Sequence, residues 1–251
     1  MHRKRLIGLG FLAPLFLSLG AGVQANEIKS QPDDKILAPF DIVETKVTTK
    51  GGYAIFEMKV RGDAAKSRPR ATGRFQGSGV YAYVWPTSLN SADIGFDKDQ
   101  GIVALALTFH PDFDDAAKGA RNRDRWHPHW VVLTEDKSCG GGLKVRDIPK
   151  DAHPKLPKTW PGVAILIDSP SYLTAISGST VKVRVPLKKI GALKSASFDG
   201  VTAGLRVSAD LGAPLLCVAN VFKMTSGDLS LSGKVGPSSR KAPRVNKFGQ
   251  R

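Results

Sequence analysis

Residues 102–109 read Ile-Val-Ala-Leu-Ala-Leu-Thr-Phe, and this stretch decides the fold class. It is apolar at consecutive positions, so both of its faces would have to be buried. Eight residues are too few for a typical buried helix, whereas a strand in the middle of a covered sheet has this length and pattern. The stretch therefore predicts a central strand of a buried sheet.

Similar short runs recur on both sides of it, bounded by Gly, Pro, Asp or Ser. Alternating residues over 42–47 and 53–60 flank Gly51-Gly52, which predicts a β-hairpin. The other runs cover 80–85, 130–133, 143–145, 163–167, 181–185, 201–207 and 215–221. Helical periodicity extends to at most one turn, around 86–92 or 114–120. Strands without intervening helices pair antiparallel, so we predict an all-β fold: a single antiparallel β-sandwich, jelly-roll or immunoglobulin-like, of about nine or ten short strands.

The two chain ends are predicted to lie outside this domain. Arg3, Lys4 and Arg5 precede an apolar run and the cleavage pattern Val-Gln-Ala, which predicts a signal peptide over 1–25 and export to the periplasm or medium. We expect an irregular lead-in over 26–40, the sandwich domain over 41–233 and a disordered basic tail over 234–251. No segment after residue 25 is long and apolar enough for a transmembrane helix.

The formal charge of +15 is concentrated at the chain ends. Three cations belong to the predicted signal peptide and six to the predicted tail, which has no acidic residue. The mildly basic body mixes both signs, so no specific nucleic-acid partner is expected. Two interpretations of the tail stay open: contact with an anionic envelope surface, or solubilisation without a partner.

The chain has two cysteines, Cys139 and Cys217, which are 78 residues apart. An even pair in an exported protein predicts one disulfide bond, which in the chain-entropy description would stabilise the fold by roughly 4 kcal/mol. No Cys-x-x-Cys pair is present, so a cysteine metal site is not expected.

Three histidines follow the central strand closely. His110 ends residues 102–109, and His127 and His129 flank Pro128 at the head of the next run. Alternate side chains of a strand share a face, and pairing of the two runs would bring His110 to the same end of the sheet. The connecting loop supplies carboxylates, of which we take Asp112 and Asp114 as candidate ligands. These five residues predict a site for a transition metal such as Zn or Cu.

Other interpretations of these histidines stay open. His-x-His between two tryptophans is also typical of a packed, hydrogen-bonded strand end, and Pro128 could disturb the shared face. The pattern also resembles half of a cupin metal motif, but Glu135 is one residue beyond the usual spacing, the preceding glycine is misplaced and no second motif follows. An EF-hand beginning at Asp112 fails, since Ala117 stands where Gly is needed and Arg123 replaces the bidentate Glu.

Aromatic side chains are the second group of candidates. Tyr81, Tyr83 and Trp85 alternate along one run, and Trp126 stands beside the histidines. Exposed rings would stack on sugars and predict a module that binds carbohydrate or an envelope polymer; buried rings would form ordinary core.

Two segments carry a resemblance to known domains. Residues 53–60 and 181–191, the latter with Pro186-Leu187 and Gly191, resemble the early strand and a later strand-turn element of exported DOMON-type and family 9 carbohydrate-binding β-sandwiches. The resemblance covers about 30 residues and implies a sandwich that binds haem or sugar without catalysis. A haem would need axial ligands, and Met58 and Met224 are the only methionines after residue 25.

Enzyme signatures are otherwise missing from the sequence, which has no His-Glu-x-x-His, Gly-x-Ser-x-Gly, phosphate-binding loop or dinucleotide fingerprint. The leading hypothesis is an exported, non-catalytic ligand-binding protein with a transition metal at the histidine cluster. A carbohydrate or envelope-polymer module is the alternative, followed by a haem-binding domain or a hydrolase assembled from distant loops.

Overall fold

A computed structural model describes residues 26–115, 121–210 and 213–237. The predicted signal peptide and residues 238–251 of the predicted tail lie outside the described residues. The described parts contain fifteen strands: β1 (Glu27–Lys29), β2 (Ile42–Lys50), β3 (Tyr53–Val60), β4 (Gly79–Thr87), β5 (Ile102–Phe109), β6 (His127–Glu135), β7 (Leu143–Val145), β8 (Ile167–Asp168), β9 (Leu173–Ser177), β10 (Thr180–Pro186), β11 (Ser197–Phe198), β12 (Val201–Val207), β13 (Leu216–Met224), β14 (Gly233–Lys234) and β15 (Gly236–Pro237). They also contain short 3-10 helices at Ser91–Ile94 and Gly191–Ser195.

The first sheet is open and has the order β1-β2-β3-β10-β9, with β15 parallel to β2. Its first hairpin is confirmed: β2 and β3 pair antiparallel around Gly51 and Gly52. Both glycines have positive φ angles, 57° and 80°, as a two-residue type I′ turn requires.

The second sheet closes on itself. Six antiparallel neighbours, β4-β5-β6-β7-β13-β12, return to β4 through pairing of Val201–Arg206 with Gly79–Val84. The all-β antiparallel class is thus confirmed, but this part of the chain is a six-stranded barrel and the prediction of a simple sandwich needs that correction. β12 has partners on both of its edges, and this pairing of distant segments is what closes the barrel.

The strand β5 contributes to two hydrophobic cores. Val103, Leu105 and Leu107 belong to the core between the barrel and the open sheet, whereas Ala104 and Ala106 belong to the core inside the barrel. Phe56 of the open sheet packs edge-on against Trp85 and Trp130 of the barrel, with ring centroids 5.9 and 6.1 Å apart. Burial on both faces explains the unbroken apolar run, and the predicted central strand is confirmed at its predicted limits.

The ordered domain extends beyond the predicted limits of 41 and 233. β1 lies inside the expected lead-in and pairs with β2 through Glu27–Lys46 and Lys29–Glu44. β14 and β15 extend into the expected tail and pair with β11 and β2. These additions are strands of two or three residues, held by backbone pairing with β2 or β11.

The predicted disulfide bond is confirmed. Cys139, in the turn between β6 and β7, is bonded to Cys217 of β13, and all three strands belong to the barrel wall. Among the residues that the structure describes, no helix has the length and apolar character needed to cross a bilayer.

Candidate metal centre

The structure brings His110, His127, His129 and Asp115 together where β5 ends and β6 begins. One ligand atom from each side chain lies within 4.8 Å of all the others. The side chains of His110, His129 and Asp115 are at most 5% exposed and that of His127 is 13% exposed. We call these four residues the His/Asp cluster.

Strand pairing places the three histidines as the sequence pattern predicts. Thr108 pairs with His127 and Ala106 with His129, so both imidazoles project from the barrel wall on the side of Ala104 and Ala106. Pro128 stays within β6 and is buried, so it does not break the shared face. His110 follows β5 directly and reaches the same end.

The carboxylate of the cluster comes from Asp115. Asp112 and Asp114, the two aspartates predicted from the sequence, accept hydrogen bonds from backbone N–H groups instead. Asp112 accepts hydrogen bonds from the backbone N–H groups of Thr72 and Gly73, both at 2.7 Å. Asp114 accepts from the backbone N–H groups of Asn122 and Arg123. These bonds fasten the loop between β5 and β6.

Asn122 holds Asp115 in place through two contacts. Its side-chain Nδ2 donates to Asp115 Oδ1 at 2.6 Å, and its Oδ1 accepts from the Asp115 backbone N–H at 3.2 Å. No feature of the sequence separates Asp115 from the neighbouring acids, because the choice depends on how the loop folds back. Glu135, the cupin-like candidate, lies exposed at the end of β6 instead.

The outer nitrogens of all three imidazoles face backbone carbonyl groups. His110 Nδ1 lies 2.9 Å from the Phe113 oxygen, His127 Nδ1 lies 2.8 Å from the Arg125 oxygen, and His129 Nδ1 lies 3.3 Å from the Asp168 oxygen. A carbonyl oxygen can only accept, so each Nδ1 carries the proton. Backbone acceptors of this kind orient metal-binding histidines.

Ser169 settles the tautomer of His129 in the same way. Its hydroxyl donates to the Asp115 carbonyl oxygen at 3.0 Å, so its oxygen accepts from His129 Nδ1 at 3.1 Å. The inner nitrogen, His129 Nε2, is buried and has no hydrogen-bond partner among the residues that the structure describes.

In the neutral form of each imidazole the inner nitrogen is therefore an acceptor, as are the carboxylate oxygens of Asp115. His110 Nε2 lies 3.0 Å from His127 Nε2, and His129 Nε2 lies 3.3 Å from Asp115 Oδ2. Lone pairs at these distances repel one another unless a cation lies between them. A metal bound tetrahedrally at 2.0–2.1 Å would separate its ligand atoms by about 3.3 Å, which is close to these two distances. The four ligand atoms lie within 4.8 Å of one another, so the widest pair would draw together on the metal.

The charge of the cluster also favours a bound metal ion. Burial on its own would raise the pKa of Asp115, but the interactions with His129, His110 and His127 outweigh it and hold the pKa below its usual range, so the carboxylate is ionised. Burial lowers the pKa of His129 to about 3, which keeps this imidazole neutral. The cluster thus holds a buried carboxylate whose negative charge is neutralised by a proton on the facing imidazoles or by a metal cation that replaces this proton.

The predicted aromatic stripe is core. Tyr83 and Trp85 are fully buried between the barrel and the open sheet, and Tyr81 and Trp126 are half-buried against the same core. Tyr83 also uses its hydroxyl internally, donating to the Pro39 carbonyl oxygen and accepting from the Ala65 N–H. These rings do not form a free stacking surface for sugars.

The two methionines considered for haem lie in different cores. Met58 is fully buried between the sheets, and Met224 packs against the core inside the barrel. They do not form an axial pair.

Comparisons of the chain with protein-family models, with curated proteins and with solved structures give no significant match. The fold and site together define a closed six-stranded barrel, backed by an open sheet, with a buried His/Asp cluster at one end. Any function must therefore be argued from the geometry of that cluster and its surroundings.

Proposed function

We propose that this protein is an exported, metal-binding protein that holds one divalent transition metal ion, Zn²⁺ or Cu²⁺. The ligands are the Nε2 atoms of His110, His127 and His129 and the carboxylate of Asp115. The observation that carries the proposal is that these acceptor atoms face one another, buried, with every Nδ1 proton committed elsewhere.

The ligand types select the metal class. Imidazole nitrogen and carboxylate oxygen suit borderline ions such as Zn²⁺ and Cu²⁺, whereas Mg²⁺ and Ca²⁺ prefer sites made of oxygen alone. Four protein ligands complete a tetrahedral shell, as in non-catalytic zinc sites, and this supports a binding role.

Export is supported by two independent features. The Cys139–Cys217 disulfide is a bond that persists in oxidising compartments. The first 25 residues have the charge and apolar pattern of a signal peptide.

Isothermal titration of the protein with Zn²⁺ and with Cu²⁺, after a chelator has removed any bound metal, tests the proposal. We expect one equivalent to bind, and the double variant His127→Ala/His129→Ala to lose at least about a hundredfold in affinity, since outer-shell changes alone cost ten- to a hundredfold. His153→Ala is the matched control, because His153 is exposed and lies outside the cluster. Equal binding by the double variant and the control would contradict the proposal.

A further inference from the structure

The barrel encloses a cavity with a volume of about 230 Å³, and the His/Asp cluster forms part of its wall. His110, Asp115 and His129 line it on one side, while most of the remaining wall is aliphatic. Small inward residues, Ala82 of β4 and Ala106 of β5, contribute to this wall at positions where small barrels usually carry side chains that fill the interior.

The cavity also reaches the outside. Its wall includes the exposed Asp228, together with the half-buried Met224 at the end of β13 and the half-buried Leu229. Leu229 has a φ of 59°, a left-handed conformation that leucine rarely adopts. The surrounding fold thus holds an apolar side chain at the cavity wall at a cost in backbone strain.

We infer that this cavity binds a small amphiphilic anion, an apolar body inside the barrel with a carboxylate head on the metal. The inference rests on the proposed function, because the head group needs the metal. A divalent ion with one carboxylate and three neutral imidazoles leaves a net charge of +1, which attracts an anionic head. The metal would take this head as a fifth ligand by expanding its four-coordinate shell. The aliphatic wall accepts only an apolar body, since an unpaired polar group there would lose its hydrogen bonds to water.

The volume limits the size of the ligand. A dry apolar cavity of about 150 Å³ binds benzene, which has six non-hydrogen atoms. By proportion, 230 Å³ holds about nine. Octanoate, with ten non-hydrogen atoms of which the head lies at the metal, is therefore the probe of choice.

The test is calorimetric titration of the Zn²⁺-loaded protein with straight-chain carboxylates from butanoate to dodecanoate. We expect affinity to rise about fourfold for each added methylene up to octanoate, as burial of each CH₂ predicts, and to fall for longer chains. Val201→Phe, which fills the cavity from β12, should weaken octanoate binding at least tenfold, and Val201→Ala should move the optimum to a longer chain.

Measuring the zinc affinity of every variant first distinguishes a failure of the cavity inference from a failure of the metal site. Zinc affinity unchanged within a factor of two shows that Val201→Phe is folded and that its loss of octanoate comes from the cavity. Normal zinc binding without binding of any carboxylate, or octanoate binding that ignores Val201→Phe, would overturn this inference and leave the metal site standing. Failure of zinc itself to bind would overturn both.

Discussion

His110 Nε2 and His127 Nε2 lie 3.0 Å apart, at the centre of the His/Asp cluster. Each ring already donates its Nδ1 proton to a backbone carbonyl group of its own loop. Two neutral imidazoles would therefore oppose their inner lone pairs, and a proton or a metal ion between them removes this repulsion. The metal-free state should accordingly be the less stable one.

The Asp115→Asn variant should be more stable than the wild type without metal and less stable than the wild type with Zn²⁺. In the chelated protein the Asn amide can donate to His129 Nε2 and removes a buried charge, so we expect the variant to be about 1–3 kcal/mol more stable than the wild type. At a Zn²⁺ concentration of a hundred times Kd, the wild type gains about 2.7 kcal/mol and the variant much less. Urea unfolding with and without Zn²⁺ measures both differences.

Asp112→Asn is the matched control for that experiment. Asp112 binds the backbone of Thr72 and Gly73 and lies outside the His/Asp cluster, so its replacement should leave the gain from Zn²⁺ unchanged. A chelated Asp115→Asn protein that is less stable than the wild type would mean that a protonated imidazole already satisfies the carboxylate.

Asp41 should make stability depend on pH in the acid range. It is fully buried and pairs with Arg61 Nε at 2.7 Å and Lys223 Nζ at 2.5 Å, which ties the open sheet to β13 of the barrel. Burial tends to raise its pKa, but the hydrogen bonds from Lys223, Asp33 and Arg61 outweigh this and lower the pKa below the ordinary 3.8. The stabilisation is therefore complete above about pH 4 and is lost as the pH falls through the lowered value.

Asp41→Asn should cost about 3 kcal/mol near pH 7, because Lys223 would keep a largely buried charge without its partner. The gap between wild type and variant should close as the pH approaches 2. Asp63→Asn removes an exposed ion pair with Lys66 and should cost at most about 1 kcal/mol. If the difference in unfolding free energy between wild type and variant stayed constant from pH 7 to pH 2, the protonation of Asp41 would not be coupled to unfolding.

The Cys139–Cys217 disulfide should account for a large share of the stability. It closes a loop of 78 residues, for which the chain-entropy description gives about 4 kcal/mol. The double variant Cys139→Ser/Cys217→Ser should melt about 10 °C lower. A reductant should lower the Tm of the wild type to the same value and leave the Tm of the variant unchanged. If wild type that is unfolded and refolded in the reductant kept its Tm, the disulfide would not provide the estimated stabilisation.

Local patterns in the sequence were enough for the eight strands of seven or more residues and for three of the four cluster residues, but not for β1, β9, β11, β14 and β15. Unbroken apolarity marked β5 at its true limits, and the spacing of His127 and His129 placed both on one face because strands have a period of two. Gly51-Gly52 specified the β2–β3 turn for a similarly local reason.

Features that depend on distant pairing could not be predicted. The barrel closes because Val201 of β12 pairs with Val84 of β4 as well as with Met224 of β13, and no local pattern encodes two partners. Asp115 enters the cluster because Asn122 holds it there, across a loop whose acidic residues look equivalent in sequence. The aromatic stripe likewise gave no sign of which side of the sheet would be covered.

X-ray absorption at the zinc edge of the loaded protein tests the central claim most directly. The account predicts four nitrogen or oxygen ligands at about 2.0–2.1 Å with the scattering signature of three imidazoles, reduced to two in His127→Ala. A shell of six oxygen ligands without imidazole scattering, or a spectrum unaltered by His127→Ala, would contradict it.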